Sequence, residues 1–147
     1  MVHYIFVYGT LRHDATHSMA GFLKKFASYV GPATVQGKMF LVETQRDFIY
    51  PALVFPKEES HAVTNVRGDV FRINDNVVED KQKLEEVWKA LDEYEGEEYT
   101  KEIRKVNMLD SGDTSSKEVE VNLYVYAAPT TGMKVIKNGD FLKRELE

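Results

Sequence analysis

A chain of 147 residues with 43% hydrophobic and 29% charged side chains has enough apolar material to close one core without staples, and is expected to form a single domain over 1–147. It contains no cysteine, which excludes disulfides, thiolate nucleophiles and thiolate metal sites, so any chemistry must use oxygen or nitrogen. The formal net charge of -5 offers no electrostatic reason to approach a nucleic-acid backbone or an anionic membrane, and no apolar run approaches the ~20 residues a membrane helix needs. The opening MVHYIFVYGTLR lacks a basic leader and a small-residue cleavage site, so a soluble, cytoplasmic protein is expected.

In chain order, His3 to Tyr8 is a β-branched and aromatic run ended by Gly9, the pattern of a buried strand feeding a turn. A glycine there lets the backbone approach a ligand closely, and the successive amides of the YGTLR turn form a candidate anion or oxyanion cradle. It is not a phosphate loop, since the glycine spacing and the lysine are missing. Met19, Phe22, Leu23 and Phe26 then recur at helical spacing, predicting an amphipathic helix over Ser18 to Ser28 with Ser18 as its cap.

From Tyr29 to Ile73 the pattern is of short strands: Tyr29 to Val42 broken at Gly31-Pro32 and Gly37, Tyr50 to Phe55, and Val66 to Ile73, with an exposed polar loop PKEESHAVTN between the last two. Asp80 opens a second helix, in which Leu84, Val87, Trp88 and Leu91 form a core stripe and Gly96 is the terminator. Tyr99 to Met108 and Val119 to Ala127 alternate as two strands joined by a loop rich in Ser, Asp and Gly. MKVIKNGDFL adds a short strand and a turn.

Helical geometry separates the acidic residues of LDEYEGEEYT. At about 100° per residue, Glu95 falls about 20° from Leu84 around the axis, inside the apolar stripe, whereas Glu93 falls roughly opposite and faces water. Glu97 and Glu98 follow the glycine and leave the helix. An inward carboxylate at a helix C-terminus loses water and sits at the negative end of the macrodipole, so its pKa rises. That is the condition for a general acid or base near neutral pH.

Six segments in order, FVYGTLR, YPALV, VRGDVF, LDEYEG, YVY and KNGDF, resemble the γ-glutamylcyclotransferase-like superfamily, which includes γ-glutamylamine cyclotransferase and AIG2-like proteins. The resemblance implies an α+β fold, a small mixed β-barrel with helices packed outside. It implies that Tyr8, Gly9, Thr10 and Leu11 bind substrate, and that the glutamate before the glycine, here Glu95, is the catalytic acid/base. The activity implied is cyclisation of a γ-glutamyl group to 5-oxoproline with release of an amine or amino acid; the partner is a small γ-glutamyl compound, and no cofactor or metal is called for. Tyr126 is a further candidate to shape the pocket and hydrogen-bond the substrate.

Two departures bear on which γ-glutamyl compound is used. HDATHS stands where many relatives have a basic-Gly stretch and an Asn, and Phe141 stands where a Trp is usual. The leaving group and the oligomeric state are left open. A non-catalytic module holding a small carboxylate in the YGTL loop is the alternative on the same fold. A metal hydrolase using His13 and His17, spaced i, i+4, is a further reading, weakened by the absence of a glutamate between them and of an evident third ligand.

Overall fold

The computed structural model of the chain describes residues 2–9, 18–43, 49–55, 64–109 and 117–141. Their elements run β1 (Tyr4–Val7), α1 (Ser18–Phe26), β2 (Ala27–Glu43), β3 (Ile49–Val54), β4 (Thr64–Ile73), α2 (Asp75–Val78), α3 (Lys81–Glu95), β5 (Tyr99–Met108), β6 (Lys117–Tyr126) and β7 (Lys134–Val135).

Strands β2, β4, β1, β6 and β5 follow one another around a closed five-stranded barrel, sealed where Ala33 and Thr34 of β2 meet Met108 and Asn107 of β5. The barrel is mixed, because β1 runs antiparallel to β4 but parallel to β6. The Asn122 side chain secures that parallel seam by donating to the carbonyls of Val2 and Tyr4 at 3.0 and 3.1 Å. The expected α+β fold, a small mixed barrel with helices outside, is the fold observed.

Alternation along β1 builds two cores at once. Phe6 and Tyr8 point into the barrel with Met39, Val70, Val121, Leu123 and Phe141, while Ile5 and Val7 point outward to Leu23, Leu84, Val87 and Leu91 of the helices. Phe141, at the position where a Trp is usual, is a buried part of the barrel interior.

Three sequence expectations change. β2 is one unbroken strand, not several pieces: its first half pairs β4 across Gly31-Pro32, and from Lys38 it diverges to pair β3 and then β7. A register irregularity between Tyr29 and Gly31 absorbs the break, which lets a proline sit in the strand. Helix α1 stops at Phe26, and Ala27 and Ser28 already belong to β2; Ser18 is its first helical residue, not the residue before it. The four-residue α2 was not foreseen, being too short to show a period. The loop after Phe55 falls mostly outside the described residues, as do His13 and His17. Among the described residues no helix is long and apolar enough to cross a membrane.

Candidate active site

Helix α3 is set at both ends by its sequence. Asp80 is its cap, with the side chain accepting from the Lys83 amide at 3.2 Å. Leu84, Val87 and Leu91 are buried against the barrel, and Trp88 packs at the margin with the Lys101 ammonium 4.1 Å above its ring. At the other end Gly96 takes a φ of 92°, and its amide donates to the Asp92 carbonyl at 3.0 Å. The sign of φ is the one expected of a terminating glycine, but ψ is 175°, so the chain leaves the helix extended toward β5 and not through a left-handed turn.

Glu95 is the last helical residue and is half-buried, whereas Glu93, Glu97 and Glu98 are exposed. Burial pushes the Glu95 carboxyl up to about 7. Its charge acts on three phenols from three different strands or strand ends: Tyr8 after β1, Tyr99 on β5 and Tyr124 on β6 are all raised by burial first and by Glu95 among the further causes. These tyrosines stay protonated, and their hydroxyl hydrogens go to other acceptors: Tyr8 donates to the Tyr124 carbonyl, Tyr99 to the Pro51 carbonyl and Tyr124 to Asp92.

Tyr8 is buried, and its phenol donates to the Tyr124 carbonyl at 2.6 Å. Its one hydroxyl hydrogen is therefore committed to the barrel. Gly9 has a packing reason to be glycine: a Cβ there would lie 2.8 Å from Cγ of Pro51. Pro51 in turn accepts the Tyr99 phenol at 2.6 Å through its carbonyl, so one β3 residue separates the turn after β1 from Tyr99. Thr10 and Leu11, the other half of the expected loop, lie outside the described residues, as does Arg12.

Tyr126 is buried among Val42, Ala52 and the rings of Tyr50 and Tyr99, edge-on to Tyr99 with centroids 5.3 Å apart. Four participants were not singled out in the sequence. Tyr99 and Tyr124 feel the charge of Glu95, and Tyr50 and Glu98 meet at 3.4 Å, phenol to carboxylate, beside Tyr126. Glu98 carried no signal, since beyond Gly96 the helical count no longer says where a side chain points.

Among the described residues, a cavity of about 530 Å³ lies where β2 and β5 diverge, between Gln36, Phe55 and Arg104, and one of about 400 Å³ between Phe22 and Phe26 of α1 and Val87 and Ala90 of α3. Neither is lined by Glu95.

Comparison with known proteins places the chain. No curated protein matches it. Among solved structures it is similar to an AIG2-like protein from Mus musculus, with a TM-score of 0.57 at 21% identity, over 98% of this chain and 84% of that one. It is also similar to parts of two longer chains, the urea amidolyase and the allophanate hydrolase of Kluyveromyces lactis. Their TM-scores are 0.60 and 0.58 at 16% and 14% identity; 97% of this chain aligns with 8% and 21% of theirs. At these identities the structures speak for the barrel fold alone. The model of the family described as gamma-glutamyl cyclotransferase, AIG2-like, matches residues 5–143, nearly the whole chain, and the protein belongs to that family.

Proposed function

We propose that this protein cyclises a γ-glutamyl group to 5-oxoproline, with Glu95 carrying the proton and the Tyr8–Gly9–Thr10–Leu11 turn holding the substrate. The observation that carries the reading is the Glu95 carboxyl itself: half-buried at the end of α3, raised to about 7, and close enough for its charge to act on Tyr8, Tyr99 and Tyr124. The partner is a small γ-glutamyl compound, and cytoplasmic location accords with it.

The α-amine of the substrate arrives as an ammonium and cannot attack until it loses a proton. Glu95 as carboxylate takes that proton; the free amine then adds to the γ-carbonyl carbon of the same molecule, closing a five-membered ring. Collapse of the tetrahedral intermediate breaks the bond to the leaving nitrogen, which takes the proton back from the Glu95 carboxylic acid; the ring nitrogen, cationic after the addition, passes its second proton through water to the released amine, which departs as an ammonium. One γ-glutamyl amide gives one 5-oxoproline and one released amine, and Glu95 ends as it began. Ring closure supplies a large effective molarity, so the site has mainly to hold the reactive rotamer and carry protons from the attacking to the leaving nitrogen. A carboxyl ionising near 7 suits both halves of that cycle.

The test is a panel of γ-glutamyl amines, dipeptides and isopeptides assayed for 5-oxoproline with wild type, Glu95→Gln and Glu93→Gln. Wild type and Glu93→Gln are expected to turn over the same member of the panel, with Glu95→Gln folded and at least ~100-fold slower. Glu95→Gln at the wild-type rate sinks the assignment. Binding without any 5-oxoproline from wild type identifies the protein as a carboxylate-binding module instead.

A further inference from the structure

The last turn of α3 carries three carboxylates, Asp92, Glu93 and Glu95, at the negative end of the helix, and no lysine or arginine of its own. A helix end so charged is disfavoured unless something outside it compensates. The compensation comes from two neighbouring strands. Tyr124 of β6 and Lys101 of β5 are register partners, so they stand side by side on one face of the sheet. The Tyr124 phenol donates to Asp92 Oδ1 at 2.6 Å, and the Lys101 ammonium lies 3.8 Å from the same oxygen while covering the Trp88 ring of the preceding turn.

Tyr124 has a second attachment. Its backbone carbonyl accepts the Tyr8 phenol at 2.6 Å. Asp92 and Glu95 are spaced i, i+3 and are neighbours on the helix surface. One residue thus joins the end of β1, where the proposed substrate turn begins, to the helical turn that ends in Glu95. Its ring is only 4% exposed, within the helix-facing core, so it has little freedom to follow a shifting partner.

We propose that Tyr124 is a positioning residue whose bond to Asp92 holds the Glu95 turn of α3 against the barrel at a set distance from Tyr8. The inference rests on the reading of Glu95 as the proton carrier, but its structural half stands apart from turnover. Without the Tyr124–Asp92 bond, the last turn is free to rise from the sheet, and Glu95 exchanges the company of Tyr8, Tyr99 and Tyr124 for water.

The experiment follows the Glu95 carboxyl directly, by carbon-13 NMR titration of glutamate-labelled protein, alongside kcat and KM on the best γ-glutamyl substrate. Tyr124→Phe, which keeps the ring and removes the donor, is expected to lower the Glu95 midpoint by a unit or more toward the ordinary carboxylate range. It should reduce kcat about tenfold or more, with KM within roughly twofold of wild type. Asp92→Ala, which removes the acceptor, should reproduce both effects and serves in its place should Tyr124→Phe not fold. Asp92→Asn, which keeps an acceptor oxygen for the phenol, should restore most of kcat. An unmoved midpoint and kcat, with only the melting temperature lowered, overturns the proposal and leaves Tyr124 as packing. A midpoint that drops in a protein making no 5-oxoproline leaves the brace standing and fells the functional reading instead.

Discussion

A carboxyl that holds its proton to about pH 7 is a burden on the fold that contains it. In the unfolded chain Glu95 ionises near 4.5 and in the folded one near 7. Below the lower value both states are protonated and the residue is neutral to stability. Between the two the unfolded chain releases a proton that the folded one retains, so stability falls as pH rises, and above 7 the full penalty stands. The separation sets an upper bound on the order of 3 kcal/mol at ~1.4 kcal/mol per unit, reduced by the water the half-buried carboxyl still meets. Glu95→Gln is therefore expected to raise the melting temperature at pH 8 and to change it little at pH 4.5. Melts at both values check this, and an equal shift at both would mean that the carboxyl is not strained. The same residue was legible in the sequence for a simple reason: its angle around the helix depends only on counting from Leu84. Its phenolic neighbours were not legible as such: Tyr8 and Tyr124 come to it only through strand pairing over long sequence separations, and Tyr99 lies beyond Gly96, where the helical count ends.

At the scale of the elements, what local chemistry dictates was readable and what tertiary pairing overrides was not. Asp80 caps α3 and Gly96 ends it, because each acts within one turn of its own position, although Gly96 leaves the helix extended and not in the left-handed turn expected of it. Gly31-Pro32 and Gly37 look like breaks by composition, yet β2 runs through them, because pairing along β4 and then β3 holds the strand and one irregularity near Tyr29 takes up the misfit. Gly9 shows how a glycine can have a packing cause that the sequence does not reveal. In the sequence it is a turn glycine after a strand; in the fold the Pro51 ring occupies the place of its Cβ. Gly9→Ala must displace Pro51, and with it the carbonyl that accepts the Tyr99 phenol, at a cost of about 1–3 kcal/mol. Gly21→Ala is the matched control: nothing lies within 4 Å of a Cβ there, and alanine in α1 should stabilise by up to ~1 kcal/mol. Urea unfolding of the two variants should give opposite signs. A neutral Gly9→Ala would mean that the contact with Pro51 is loose.

The molecule as a whole is a barrel with two cores that share their strands, and this division assigns stability and chemistry to different places. The interior cluster around Phe6, Met39, Val121 and Leu123 seals the barrel. The outer cluster around Ile5, Leu23, Leu84 and Leu91 fixes the helices upon it, and α3 bears Glu95. Because β1 and β6 alternate between the two, neither cluster is visible as a separate run in the sequence, and the β2–β5 contact that closes the barrel joins residues about 70 positions apart. Leu91 and Leu123 are each wholly buried, one in each cluster. Cutting either to alanine should cost about 2–5 kcal/mol, since each loses the same methyl groups and leaves a comparable void. Their effects on turnover should differ. Leu91→Ala loosens the turn immediately before Asp92 and Glu95 and should lower kcat about tenfold in protein that is still folded, whereas Leu123→Ala leaves the seat of α3 intact and should keep kcat near that of wild type. Kinetics taken well below each variant's unfolding transition, beside urea titrations of both, separate the two contributions. An equal loss of kcat from the two lesions would show that the site depends on the barrel as one body and that α3 has no separate part in placing the carboxyl.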